Sequence, residues 1–198
     1  KDMVQPLLLP QVISAIGAKP IIRQENCLFE YRKWHNDIKR KLISEYCDKK
    51  IVLDLGIGKG GDLAKYKDAD VRHVWGIDPS KENLDELNNR LGRAFSDFAP
   101  KINVIEAGAQ ETQKIAKWMR KKADTITMMF SLTYLFKDVS TLESLVATVD
   151  KCLDGPDSIF FGTVLDGWSV KRQMEADGTT DLNAAGCWQI KADGPMTG

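Results

Sequence analysis

Residues 51–63 read IVLDLGIGKGGDL, and no other stretch constrains the chain as much. Ile51-Val52-Leu53 is the kind of apolar run that forms a buried strand. Gly56, Gly58 and Gly61 then allow a tight turn in which backbone approaches a ligand, and Asp62-Leu63 opens a helix. A second apolar run, Val74-Trp75-Gly76-Ile77, ends at Asp78, about 20 residues beyond the loop. Further strands are expected at 102–105, 125–130 and 158–164, with helices at 62–67, 82–97, 110–122 and 139–153. Strands alternating with helices of this length predict an α/β fold, a mostly parallel sheet with right-handed crossovers and helices on both faces. Ligands of such sheets bind outside the carboxyl ends of the strands.

The ends of the chain follow other patterns. Residues 1–27 contain Pro6, Pro10, Gly17 and Pro20 and read as an irregular arm. A helix is expected over about 28–47, with Phe29, Trp34, Ile38, Leu42 and Tyr46 as its apolar stripe. After Val164 the pattern weakens to one helix near 167–175 and one short strand near 188–190. With 198 residues, one domain over 28–198 is the expectation. A chain that starts at Lys1 without methionine and stops in a small polar run at Gly198 reads as a piece of a longer, multidomain protein.

Composition excludes several classes. Lys+Arg and Asp+Glu are both 28, so any nucleic-acid contact must be local. Two basic runs offer one: residues 31–50 carry seven Lys/Arg against three acids, and 112–123 carry five against none. No uncharged apolar stretch approaches the roughly 20 residues that span a bilayer. Cys27, Cys47, Cys152 and Cys187 are widely spaced and only His35 and His73 are present, which argues against a metal site or disulfide framework and for a reducing compartment.

The glycine spacing fits a dinucleotide as well as other nucleoside cofactors. Two acids separate them. A pyrophosphate needs a bare, electropositive helix start, whereas Asp54 and Asp62 flank the loop with carboxylates. S-adenosylmethionine fits better, since its methionine end carries an ammonium and a sulfonium while its ribose diol can reach Asp78. Asp62 reads equally well as a helix cap; Asp54, ending a buried strand, needs a partner.

The run GIGKGGDL, preceded by YRKWHNDIKRKLI (31–43) and followed by GIDPS (76–80), resembles the messenger-RNA cap guanine-N7 methyltransferase family, over about residues 31–165. The resemblance implies a class I S-adenosylmethionine-dependent methyltransferase fold and a 5′-capped RNA substrate; composition adds the expectation of no metal and no membrane partner. It implies that Lys39 meets the methionine carboxylate, Asp54 and Asp62 surround the methionine end, and Asp78 binds the ribose. Gln110 and Phe130 stand where the family has its adenine-side acid and a phenylalanine after the fourth strand. His35 and Asn36 stand where the family has two asparagines, and with Tyr134 and Leu165 they are the implied cap-binding residues. Viral capping enzymes are similar in their drift. They imply triphosphatase and guanylyltransferase domains in the same polypeptide, and a viral factory, virion or nuclear location.

Guanine N7 has a lone pair and no proton, so transfer to it needs no catalytic base, only proximity and orientation. Ribose 2′-O transfer, by contrast, must activate a hydroxyl and would want a lysine as its base. A small-molecule methyltransferase would share the loop without needing the 31–43 run. A catalytically silent methyltransferase-like module that binds or stimulates a partner is the remaining alternative.

Overall fold

The computed structural model describes residues 28–184 and 188–192. The expected arm at 1–27, together with Cys27 and Cys187, lies outside the described residues. The chain divides into two compact units, Ile38–Leu165 and Lys1–Asp37 with Asp166–Gly198.

The Ile38–Leu165 unit holds a five-stranded sheet of β1 (Ile51–Leu55), β2 (His73–Asp78), β3 (Ile102–Glu106), β4 (Thr125–Met129) and β5 (Ile159–Thr163). The order is β3-β2-β1-β4-β5 and every pairing is parallel. The helices are α1 (Phe29–Tyr46), which enters from the other unit, α2 (Leu63–Asp68), α3 (Lys81–Ala94), α4 (Thr112–Trp118) and α5 (Val139–Cys152). Side chains of a strand alternate between faces. Val52 and Val74 accordingly join Ile43, Leu63, Tyr66 and Leu87 in one core layer, while Leu53, Leu55, Trp75 and Ile77 join Ile115, Ile126 and Leu145 in the other. Winding runs outward from β1 to β3, then returns to place β4 on the other side of β1. That reversal opens a crevice at the carboxyl ends of β1 and β4.

Three expectations shift. The buried face of α1 is not the Phe29–Tyr46 stripe: Phe29 is 58% exposed, and Ile43 and Cys47 are fully buried. Positions 39, 43 and 47 are spaced four apart, so the face that packs on the sheet also carries Lys39. The helix expected over 110–122 stops at Trp118, because Met119 is extended (ψ 124°) and the chain then runs through Arg120-Lys121-Lys122 to β4. The helix expected to 97 ends at Ala94, where the chain turns to bury Phe98 ahead of a short 3-10 turn at Ala99–Lys101.

In the other unit, α6 (Gly167–Asp177) ends on left-handed Gly178, and β6 (Asp181–Ala184) pairs antiparallel with β7 (Trp188–Lys191). Val170, Met174 and Leu182 form its core. Strand β6 has no counterpart in the sequence expectation. No helix among the described residues is long and apolar enough to cross a membrane.

Candidate cofactor and substrate site

The crevice begins with the turn after β1. Gly56 and Ile57 both donate backbone N–H groups to Ile77 O at 2.9 Å, which ties the loop to β2. Gly56 has φ +99°, and a Cβ there would lie 2.7 Å from the Ser131 side chain, whose hydroxyl donates to Leu55 O at 2.7 Å. The loop from β1 and the loop from β4 therefore meet only because position 56 lacks a side chain. Gly58 (φ +55°) donates its N–H to Asp78 Oδ2 at 3.0 Å. Asp78 Oδ1 accepts from Ser80 N at 2.9 Å and Asn83 Nδ2 at 3.0 Å. A carboxylate has about four acceptor positions, so the three bonds that orient Asp78 leave capacity for one more donor.

The two acids of the loop occupy different environments. Asp54 is 2% exposed on the sheet face that α2 covers. Its neighbour across the ladder is Thr127, and Tyr66 of α2 reaches both: the tyrosine hydroxyl donates to Asp54 Oδ2 at 2.9 Å and lies 2.8 Å from Thr127 Oγ1. Asp54 Oδ1 is buried and has no hydrogen-bond partner. Burial, then the charge of Asp62, pushes the Asp54 carboxyl up to about 7, against the opposing bond from Tyr66. Burial has the same tendency at Asp62, but there the charge of Lys39 and hydrogen bonds from Lys39 and Lys65 outweigh it and hold the group below the usual carboxylate range.

Asp62 stands at the N-cap position of α2, but its side chain makes no capping bond. It is clasped between Lys39 Nζ and Lys65 Nζ, each at 2.8 Å. Lys65 is 5% exposed at its side chain and Lys39 is 12%, so this is a partly desolvated cluster rather than a surface pair. Lys39 Nζ also stands 5.6 Å from the centroid of the Phe130 ring. Phe130 has φ +62°, an uncommon conformation for a non-glycine residue, and its N–H donates to Thr163 O at 2.8 Å.

The structure thus brings Lys39, Asp54, Gly56, Gly58, Asp62, Asp78 and Phe130 together around one crevice. Gln110 lies in the turn after β3, exposed, and its amide covers the space that a Cβ on Gly108 would fill. Tyr134 lies on a 3-10 turn, Leu132–Lys137, and is 79% exposed. Leu165 follows β5 and is exposed. His35 and Asn36 are half-buried on the part of α1 that belongs to the other unit, where the His35 ring packs edge-on against Tyr31 at 5.0 Å.

Tyr66, Thr127, Lys65 and Ser131 are functional neighbours that the sequence does not advertise. Tyr66 reads as one more apolar position of a short helix, and its role arises only when α2 lies over β1 and β4. The basic run at 112–123 lies away from the glycine loop. Arg120 and Lys121 line a cavity with Ile51, His73 and Asn103, at the amino-terminal ends of the strands. Among the described residues no group of His, Cys, Asp and Glu could hold a metal ion.

A family profile for the mRNA (guanine-N(7))-methyltransferase domain matches residues 16–191. The mRNA-capping enzyme of African swine fever virus (strain Badajoz 1971 Vero-adapted) is 32% identical over 165 residues, covering 75% of this chain and 18% of that protein. The mRNA cap guanine-N(7) methyltransferase of Schizosaccharomyces pombe is 24% identical over 147 residues, covering 72% of this chain and 41% of that protein. This chain thus spans less than half the length of either relative. Among solved structures, the glycopeptide N-methyltransferase MtfA complexed with S-adenosyl-L-methionine superposes with a TM-score of 0.53 at 18% identity, over 63% of this chain and 48% of that one. That likeness carries the fold.

Proposed function

Because this chain belongs to the mRNA (guanine-N(7))-methyltransferase family, we propose that it binds S-adenosylmethionine at the carboxyl edge of its sheet and methylates N7 of the guanine cap of RNA. The observation that carries the reading is Asp54 Oδ1, a buried carboxylate oxygen without a donor beside the glycine loop. Leaving such an atom unpaired costs roughly 1–3 kcal/mol, and an ammonium group entering the crevice would remove that cost. The residues present fit the cofactor. Asp54 and Asp62 would face its ammonium, Lys39 its carboxylate, the last acceptor position of Asp78 a ribose hydroxyl, and Gln110 the adenine side. When bound, the cofactor supplies a methyl group on a positively charged sulfur.

The chain's own contribution is then binding and orientation. N7 presents a lone pair without a proton, and alignment at near-attack distance contributes roughly 7–11 kcal/mol. Tyr134 offers an exposed ring that can stack on the guanine. A ribose 2′-O transferase would need a lysine able to take a hydroxyl proton. Lys39 and Lys65 are instead both committed to Asp62, which favours the N7 reading. The African swine fever virus relative, an mRNA-capping enzyme of which this chain covers 18%, supports reading the chain as one part of a longer capping enzyme; triphosphatase and guanylyltransferase domains in the same polypeptide are part of the proposal.

The test is incubation with GpppA-capped RNA and S-adenosylmethionine, nuclease digestion and mass spectrometry. N7-methylguanosine is the expected product. A methyl group on the first transcribed ribose would replace this reading with 2′-O transfer, and no methylated product at all would favour a silent binding module.

A further inference from the structure

We infer that the opposite edge of the sheet carries a second site, one that takes a nucleotide of single-stranded RNA. At the amino-terminal ends of β1, β2 and β3 lies a cavity of about 620 Å³, with His73, Trp75 and Trp118 in its wall and Arg72, Arg120 and Lys121 around it. The three rings form one continuous aromatic group, with centroids 4.3 Å apart between His73 and Trp75 and 5.0 Å between Trp75 and Trp118.

Packing alone does not account for this wall. Trp75 is 6% exposed, yet its indole Nε1 has no acceptor, and His73 Nε2 is likewise buried without a partner. A purely structural cluster would be expected to bury carbon there or to pair the nitrogens. A ligand bearing ring nitrogens, carbonyl oxygens or hydroxyls would satisfy both. The cations point to the charge of that ligand. Arg120 and Lys121 are exposed and have no ion-pair partner among the described residues, whereas Arg72 is held by Asp124 at 2.9 Å.

A second cavity, of about 680 Å³, lies between α4 and α5 and shares Arg120 and Lys121 with the first. It adds Lys122 and Lys151, and Asp150 is the single carboxylate lining either cavity. An aromatic recess joined through a ridge of cations to a basic groove matches the alternation of base and phosphate along a strand. A free mononucleotide would use only the first cavity, and the shared ridge is what favours a strand. The five-residue β1 spans roughly 17 Å, so this surface is separate from the cofactor crevice. The choice of RNA as the strand rests on the cap-methylation reading, but the test uses an uncapped strand without methyl donor, so the two can fail separately.

The experiment titrates the protein with 5′-hydroxyl decaadenylate and, in a parallel arm, with AMP, without cofactor, while following the Trp75 indole N–H signal by NMR. Decaadenylate should move that signal and bind more tightly than AMP. Trp118→Ala should weaken decaadenylate binding by roughly fivefold to a hundredfold, the range of one base–aromatic stack. Trp118→Phe, which keeps a stacking face and the core contact, should restore most of it. Arg120→Glu with Lys121→Glu should weaken binding at least tenfold and flatten its salt dependence by about two phosphate contacts. Lys114→Glu, in the same basic run but lining neither cavity, should change it less than about twofold by comparison. AMP binding as tightly as decaadenylate and with the same Trp118 dependence would overturn the strand in favour of a free nucleotide. Unchanged affinity in the tryptophan and double-charge variants, or an equal loss in Lys114→Glu, would overturn the site.

Discussion

The Tyr66 hydroxyl donates to Asp54 Oδ2 at 2.9 Å from a position that is itself fully buried, so the deepest carboxylate of the crevice is oriented by a residue of the helix that the glycine loop launches. Loop, helix and acid form one unit. With its proton committed to Asp54, the tyrosine oxygen accepts from Thr127 Oγ1 at 2.8 Å, which ties α2 to both of the adjacent strands β1 and β4.

Removing that hydroxyl tests the linkage. Tyr66→Phe should destabilise the protein by roughly 1–3 kcal/mol, because it leaves Asp54 Oδ2 and Thr127 Oγ1 buried and short of a partner. The Asp54 carboxyl should rise further, since the Tyr66 bond is the largest influence holding it down. Denaturant unfolding and carboxyl NMR titration measure the two effects; an unchanged midpoint with an unchanged titration contradicts the arrangement.

Asp54 also makes stability depend on pH with a definite sign. Its folded-state value of about 7 lies above the unfolded 3.8, so the folded protein holds a proton that the unfolded chain releases. The contribution is complete below pH 3.8 and is lost as pH rises from there through 7. Asp54→Asn should therefore flatten the stability profile across that window and be the more stable protein at pH 8, by at most about 4 kcal/mol. The same ionisation should strengthen binding of the cationic cofactor analogue sinefungin between pH 6 and 8. The flat pH–rate profile expected from N7 chemistry then applies at saturating cofactor, while kcat/KM for the cofactor rises through pH 7. A calorimetric affinity independent of pH in the wild-type protein argues against Asp54 facing the ammonium.

The lysine clasp on Asp62 gives a third prediction. Lys39→Met removes one of two ammonium partners and the group 5.6 Å from the Phe130 ring, leaving Asp62 to Lys65. Sinefungin affinity should fall by about tenfold or more, in the range of a hydrogen bond to a charged group, and the Asp62 carboxyl should move back up. Isothermal titration that shows equal affinity would remove Lys39 from the cofactor site.

Two adjacent glycines should behave differently. Gly60 has φ +71°, and a Cβ there would sit 2.7 Å from Leu63, whereas Gly61 has open space around the Cβ position. Gly60→Ala should cost more than about 1 kcal/mol, and Gly61→Ala should be nearly neutral although it is the third glycine of the sequence motif. Thermal melting decides between them, and the reverse order would contradict the loop geometry.

Tyr134 provides a test on the substrate side. Its exposed ring should contribute roughly 1–3 kcal/mol of stacking to cap binding, so Tyr134→Ala should weaken a cap analogue by that amount and sinefungin by less than about twofold. Tyr134→Phe should lose little. A folded Tyr134→Ala protein that methylates capped RNA with an unchanged KM would take the ring out of the cap site.

The order of strands and helices was legible because its signals are local. Ile51-Val52-Leu53, Val74-Trp75-Gly76-Ile77 and the glycine turn each declare themselves within a few residues, and Asp54 and Asp78 inherit their places from the strands that carry them. The chemistry of the crevice was not local. Lys39 and Asp62 are 23 residues apart, Tyr66 and Thr127 are 61 apart, and Gly56 meets Ser131 only where β1 and β4 lie side by side. Whether Asp62 caps a helix or pairs with lysines, and whether Asp54 holds its proton near neutral pH, depends on burial and on charges brought in by other elements. The basic run at 112–123 shows the same division. Its charge is plain in the sequence, but the early end of α4 at Trp118 and the parallel register of β1 to β3 set Arg120 and Lys121 beside Trp75, at the edge of the sheet away from the glycine loop. A composition can state how much charge a chain carries; only the packing of its elements decides which edge that charge faces.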